Sequence, residues 1–167
     1  PPDPAPPARP PAAPWRVWLA GVYAVRAAVV ARPGVGIGVE RGGDRGLAVA
    51  VGVVPARPAD FAPETTLAEL ELVVSGWANA GPVRLAAGPG LAGRRFVQRG
   101  DVASQHVVPQ LHAAVGLPVA VGPLRVEPAV GAALDLAATL VGHDDVRQTM
   151  MPLALRGELR IGAHRSP

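Results

Sequence analysis

Few side chains in this sequence could carry out acid–base or metal chemistry, and three of them lie close together. His106 and His112 are six residues apart, and Ser104 precedes the first of them by two. Histidine is a common general base and metal ligand, so this group suggests a metal site or a serine hydrolase. Because the chain has only four histidines and no cysteine, we predict that both histidines join hydrogen-bond networks. The prediction is therefore no metal, no cofactor and no enzymatic activity.

Three short motifs resemble functional sequences. Residues 143–145, His-Asp-Asp, could bind a cation, residues 99–101, Arg-Gly-Asp, spell an integrin-binding tripeptide, and residues 34–38 contain three alternating glycines. The glycines lack the spacing, the following helix and the distal acid of a dinucleotide site. We interpret the first motif as part of a solvated loop and the second as part of a turn.

Twelve charged residues lie within stretches where large apolar side chains alternate with small or polar ones. All twelve occupy the small-residue positions, and the six arginines balance the six carboxylates. The set is Arg16, Arg26, Glu40, Glu69, Glu71, Arg84, Arg125, Glu127, Asp135, Arg156, Glu158 and Arg160. Charges that share an enclosed space must be paired, because a desolvated lone charge is costly. These residues therefore predict a charge-paired interior, or lumen.

The alternation is clearest over residues 124–138, where Leu124, Leu134 and Leu136 share one face with other apolar residues. A helix would have to absorb Pro128 in its interior, at a cost of about 3 kcal/mol, so a strand is favoured. Ordinary strands have about five or six residues, whereas a strand that crosses a bilayer needs about 9 to 11. The stretch therefore predicts a transmembrane β-strand.

Seven other segments repeat this alternation, so eight strands are predicted. They cover approximately residues 15–29, 35–40, 47–54, 69–79, 83–92, 106–119, 124–138 and 153–161. Short turns are predicted at residues 32–34, 42–44, 81–82 and 122–123, and longer polar connections at about 56–66, 94–105 and 141–150. Proline cannot donate a ladder hydrogen bond, so Pro89, Pro109, Pro118 and Pro128 are expected to mark bulges or strand ends.

Composition excludes several classes of protein. The net charge is only +3 among 167 residues, and no basic run with interleaved aromatic residues occurs, so nucleic-acid binding is not expected. The longest apolar stretch with no more than one charge is residues 17–31, which contains Arg26. It is shorter than the roughly 20 residues that a membrane helix needs. The absence of cysteine excludes disulfides and thiol chemistry.

The first 14 residues contain too much proline for a helix or sheet. They predict a semi-rigid polyproline II linker that extends by about 3.1 Å per residue. The chain begins at Pro1 rather than Met, which suggests a mature or excised part of a longer protein. The predicted organisation is a linker at 1–14, a barrel at 15–164 and a tail at 165–167.

The pattern as a whole resembles the small eight-stranded outer-membrane barrels of Gram-negative bacteria, the OmpA and OmpX class, over residues 15–164. Such barrels have short periplasmic turns and long outer loops, and the predicted connections alternate in this way from the second onward, which places both termini in the periplasm. Trp15, Trp18 and Trp77 form a partial aromatic girdle at that rim. The resemblance implies an all-β, eight-stranded antiparallel up-and-down transmembrane β-barrel. It also implies a monomer in the cell outer membrane, in contact with outer-membrane lipid and lipopolysaccharide.

The predicted function is that of a structural, porin-like barrel whose lumen is closed, because side chains fill a barrel of about eight strands. It would anchor an upstream segment or a periplasmic domain through the linker, and display three loops outside. The alternative is a soluble lipocalin-like or β-sandwich domain that binds a small ligand, with Asp135 outside and Leu134 and Leu155 inside. A third hypothesis is a barrel that hydrolyses lipid A or phospholipid through Ser104.

Overall fold

The computed structural model describes residues 14–26, 29–59, 62–98, 101–138, 140–143, 146–149 and 151–163. Side chains are described over 14–26, 32–56, 66–97, 104–138 and 151–163. The predicted linker, apart from Pro14, and the predicted tail lie outside these residues.

The described chain forms β-strands joined by turns. They are β1 (Trp15–Arg26), β2 (Val29–Gly42), β3 (Arg45–Ala59), β4 (Ala62–Ala80), β5 (Val83–Gln98), β6 (Asp101–Gly116), β7 (Val119–Val121), β8 (Leu124–Asp135), β9 (Leu140–His143), β10 (Val146–Thr149) and β11 (Leu153–Ala163). Among the described residues, no helix is long and apolar enough to cross a bilayer.

Eight of these strands close into an antiparallel up-and-down barrel. The order is β1, β2, β3, β4, β5, β6, β8 and β11, and β11 pairs with both β8 and β1. The short β7 continues the line of β6 beside β8, while β9 and β10 form a separate hairpin in the connection between β8 and β11. The predicted fold class is confirmed.

Three short turns lie at one end of the barrel, which we call the turn end. Gly81 and Gly122 adopt φ angles of +62° and +58°, a left-handed conformation that costs glycine little. The third turn follows Gly42, and the first residues of β1 and the last of β11 lie at the same end. The turns predicted at 42–44, 81–82 and 122–123 are confirmed.

The turn predicted at residues 32–34 is wrong. β2 already begins at Val29, and Pro33 lies opposite Tyr23 of β1. β2 pairs with β3 only from Val35 onward. The missing N–H of Pro33 therefore costs no hydrogen bond to β3. Arg26, the last residue of β1, and Val29, the first of β2, therefore pair at the end opposite the turns, which we call the hairpin end.

The polar connections predicted at 56–66 and 94–105 are also wrong in most of their length. β3, β4, β5 and β6 have 15, 19, 16 and 16 residues and continue through these segments as paired strands. Pairing of β2 with β3 stops at Val35–Val53, and pairing of β6 with β8 stops at Gln110–Asp135. The four longer strands therefore project beyond the barrel as a sheet of their own.

Both edges of this projecting sheet are irregular. The β3 edge contains Pro55 and Pro58, and its register with β4 shifts between Val54 and Arg57. On the other side, the register of β6 with β5 shifts beside Phe96. Prolines and bulges are common ways in which proteins prevent an exposed edge from pairing with another chain.

Of the four prolines predicted to mark strand ends or bulges, three lie where a strand or a strand pairing ends. Pro118 lies in the break between β6 and β7, and Pro109 and Pro128 lie at the two ends of the β6–β8 pairing. Leu117 N donates to Pro128 O across that break at 3.0 Å. Pro89 instead sits within β5 opposite Leu111.

Large aliphatic side chains cover the outer surface of the barrel, forming what we call the outer belt. Leu19, Ile37 and Leu155 are 62%, 50% and 59% exposed. Asp135 is 7% exposed, whereas its neighbour Leu134 is 41% exposed. A lipocalin-like domain needs the opposite arrangement, so that alternative is wrong.

Candidate functional site

The polar side chains of the barrel meet inside it. Arg84 on β5 donates to Glu40 on β2 across 2.5 Å, and Arg26 on β1 donates to Asp135 on β8 across 2.9 Å. Neither pair of strands is adjacent in the barrel, so these contacts cross the interior. The strand alternation thus directs one face of every barrel strand inward.

One group of charges closes the interior near the turn end, and we call it the turn-side cluster. It consists of Arg16, Glu40, Arg84, Arg125, Glu127 and Arg160. Arg84, only 3% exposed, bridges Glu40 and Glu127, and its guanidinium lies 4.0 Å from the ring centroid of Trp77. Arg125 and Arg160 contact Glu127 at 2.9 and 3.1 Å. The buried arginine is therefore held by two carboxylates and an aromatic face. Trp77, 4% exposed, and Trp18, which stacks on Arg160, thus face the interior, and their predicted place in an aromatic girdle is wrong.

A second group, the loop-side cluster, lies nearer the hairpin end. It consists of Arg26, Glu69, Arg94, Gln110 and Asp135. Asp135 accepts hydrogen bonds from Arg26, Arg94 and Gln110 at 2.9, 2.7 and 2.7 Å. The Nε of Arg94 donates to Glu69 at 2.8 Å. Every charged member of this buried cluster therefore contacts an opposite charge.

A cavity of about 70 Å³ lies between the two clusters, and we call it the central cavity. Glu71 and Arg156 form an ion pair on its wall, and Glu158 lies 3.5 Å from the Nε of Arg156. Ser75 and His112 also line it. A space of this size accommodates a few water molecules.

An apolar layer covers the loop-side cluster on the side toward the hairpin end. Leu67, Phe96 and Val108 each lie two residues beyond a member of the cluster on β4, β5 and β6, and all three are at most 2% exposed. The ring of His106 packs edge-on against Phe96, with centroids 5.9 Å apart. The interior is therefore closed by apolar side chains as well as by charges.

All twelve charged residues named from the sequence face the interior, and each contacts an opposite charge. The clusters and the central cavity contain them all. Sequence reasoning missed Arg94, because it assigned this residue to a loop. The signal was present, since Arg84, Ala92 and Arg94 occupy alternate positions of the same strand.

Ser104 and the two histidines do not assemble a recognisable catalytic or metal site among the described side chains. His112 contacts Gln110 at 3.0 Å, and no described hydrogen bond joins Ser104 to His106. In the part of the chain that the structure describes, no group of three histidine or acidic side chains could hold a metal ion. The motifs at 99–101 and 143–145 include residues outside that part.

Comparison with known proteins relates this barrel to others by structure alone. No family model and no curated protein matches the sequence. Neisserial surface protein A shares the fold with a TM-score of 0.62 and 14% identity, over 89% of this chain and 94% of that one. Ail, the attachment invasion locus protein of Yersinia pestis, gives 0.52 and 12%, over 89% and 96%. The outer membrane protein AlkL gives 0.50 and 12%, over 96% and 94%.

These likenesses confirm the predicted resemblance at the level of fold. The chain has the closed eight-stranded barrel of small outer-membrane proteins.

Proposed function

We propose that this protein is a structural outer-membrane barrel that anchors an attached segment and displays hairpins on the opposite side of the membrane. The observation that carries the proposal is the outer belt, which surrounds an interior where charges are paired. Lipid-facing apolar residues that alternate with inward polar ones are the defining pattern of transmembrane barrels. A barrel surrounded by water would bury its aliphatic face instead.

Strand length supports a membrane-spanning placement. β1 has 12 residues. At about 3.3 Å per residue and a tilt near 45°, such a strand spans roughly 28 Å, close to the apolar band of about 25 Å in outer-membrane barrels. The four longest strands, β3 to β6, have 15 to 19 residues and supply the projecting sheet.

The asymmetry of the two ends supports an orientation. Short turns and the ends of the described chain share the turn end, which corresponds to the periplasmic side of such barrels. A segment attached through the proline-rich residues would then lie in the periplasm, and the projecting sheet would lie outside, among lipopolysaccharide. A barrel whose backbone edges are all paired in a closed ring needs no second copy to insert, so we propose a monomer.

Membrane insertion is tested by folding the purified chain into detergent micelles or lipid vesicles. We expect unboiled protein to migrate differently from boiled protein on denaturing gels, because a closed barrel resists detergent until heated. Far-ultraviolet circular dichroism of the same samples provides the control for strand content. A chain that remains monomeric and dissolved without detergent would contradict the proposal.

The closed interior predicts that the barrel does not conduct. Among the described side chains, the two charged clusters and the apolar layer leave the central cavity of about 70 Å³ and a smaller space of about 20 Å³ within the turn-side cluster. Planar-bilayer recordings of the folded protein should therefore show no large, steady single-channel currents. Such currents from the unmodified protein would mean that the clusters do not fill the lumen, and transport would replace anchoring as the function.

A further inference from the structure

We propose that Trp15, Arg41 and Arg45 form a docking site for the headgroup of an anionic phospholipid at the turn end of the barrel. The inference rests on the proposed membrane placement and adds a lipid class and a position to it. The three side chains face outward on adjacent strands β1, β2 and β3.

The geometry brings the two guanidinium groups to the same patch of surface. Arg41 lies opposite Trp15 on β1, and its guanidinium is 5.3 Å from the ring centroid of that tryptophan. On its other side Arg41 lies opposite Leu47, and Arg45 is two residues before Leu47 on the same face. Diagonal neighbours of this kind are about 7–8 Å apart in a sheet, a distance that one phosphate between two long side chains can bridge.

The charge of these two arginines is not balanced as it is inside the barrel. Each arginine of the turn-side cluster contacts a carboxylate, whereas no carboxylate among the described side chains lies within salt-bridge distance of Arg41 or Arg45. Asp44 lies between them in sequence, on the exposed turn. Two cationic groups therefore face outward, and no carboxylate of the described side chains is bound to them.

The patch lies where lipid headgroups would be. Val17, Val39 and Leu47 begin the outer belt directly beside it and are 53%, 38% and 66% exposed. Trp15, 62% exposed, has the amphipathic ring that prefers the membrane–water interface. The guanidinium groups are therefore placed at the depth of phosphate groups rather than of acyl chains.

Among the described residues, the outward positive charge at this rim is confined to one sector. The outward residues at the turn end of the other barrel strands are neutral. They include Ala78, Val83, Leu117, Leu124 and Ala163. Charges spread around the rim would attract the bilayer surface in general. A single pair of arginines, Arg41 and Arg45, favours binding of a headgroup at one site. Arginine pairs suit phosphate because the planar guanidinium donates two parallel hydrogen bonds.

The test compares lipid retention by native mass spectrometry after folding in mixed vesicles of phosphatidylglycerol and phosphatidylcholine. We expect the unmodified barrel to retain phosphatidylglycerol in preference. Arg41→Gln combined with Arg45→Gln should reduce this preference by about fivefold or more, since each basic residue near an anionic surface contributes about a factor of five. Arg95→Gln is the matched control, because Arg95 also faces outward on β5 but lies toward the hairpin end.

Equal preference in the unmodified protein and the double variant would overturn the proposal, as would an equal loss in the Arg95→Gln control. Heat-modifiable migration of every sample separates this result from the proposed function. A double variant that still folds and inserts but retains its lipid preference overturns only the headgroup site. Failure of the unmodified chain to insert would overturn both.

Discussion

Replacement of Asp135 by alanine is expected to lower the free energy of unfolding by about 3–5 kcal/mol, the usual cost of removing one partner from a buried ion pair. The carboxylate accepts hydrogen bonds from Arg26 and Arg94, and both arginines are less than 10% exposed. In the variant these guanidinium groups would face each other without the anion that lies between them. Urea titration of vesicle-embedded protein, followed by tryptophan fluorescence, measures the loss.

Asp44→Ala is the control for this experiment, because its side chain is exposed on a turn and forms no described ion pair. Its backbone oxygen accepts from Asn79 N at 2.8 Å, a bond that the substitution leaves in place. The control should change stability by less than about 0.5 kcal/mol. If Asp135→Ala changes stability as little as Asp44→Ala, the loop-side cluster does not hold the barrel together.

A charge placed in the middle of the outer belt should have an effect of similar size. Ile37 lies midway between Pro33 and Arg41 along the outward face of β2 and is 50% exposed. Ile37→Arg should therefore destabilise the folded state in vesicles by about 2–4 kcal/mol, because the guanidinium would lie near the bilayer midplane. The measurement is again urea unfolding from vesicles.

The same substitution at Leu47 provides a comparison at a different depth. Leu47 is as outward as Ile37 but lies opposite Arg41, at the edge of the outer belt. Near the interface the cost of arginine falls to about 0–1 kcal/mol. Equal effects of Ile37→Arg and Leu47→Arg would show that the outer belt does not face the hydrocarbon core of a bilayer.

Alternation in the sequence predicted the number of barrel strands and the inward face because a strand places successive side chains on opposite sides. It was less informative about strand length. Outside the bilayer an outward residue need not be apolar, so Arg95 and its neighbours looked like a loop although Arg94 and Phe96 keep the inward positions. The polar character of these residues reflects their surroundings rather than the end of β5.

The partners within the interior could not be predicted in the same way. Arg156 on β11 pairs with Glu71 on β4, across the barrel. Which carboxylate lies opposite a given arginine depends on strand tilt and on the stagger of hydrogen-bonded registers around the ring. Neither quantity can be obtained from one strand's alternation, so the sequence indicated a balanced set of charges without its pairs.

The pairing of the first barrel strand with the last has a consequence for biogenesis. Because β1 closes the ring against β11, a nascent or truncated chain that lacks β11 leaves an open strand edge along β1. The bonds between Arg26 and Asp135, 109 residues apart in sequence, also cannot form until most of the chain has been synthesised. Ring closure is therefore a late, long-range event in folding, which is slow because distant segments must meet first. Until then Arg26 lacks the carboxylate of Asp135, whereas Arg16 can already contact Glu40, 24 residues away.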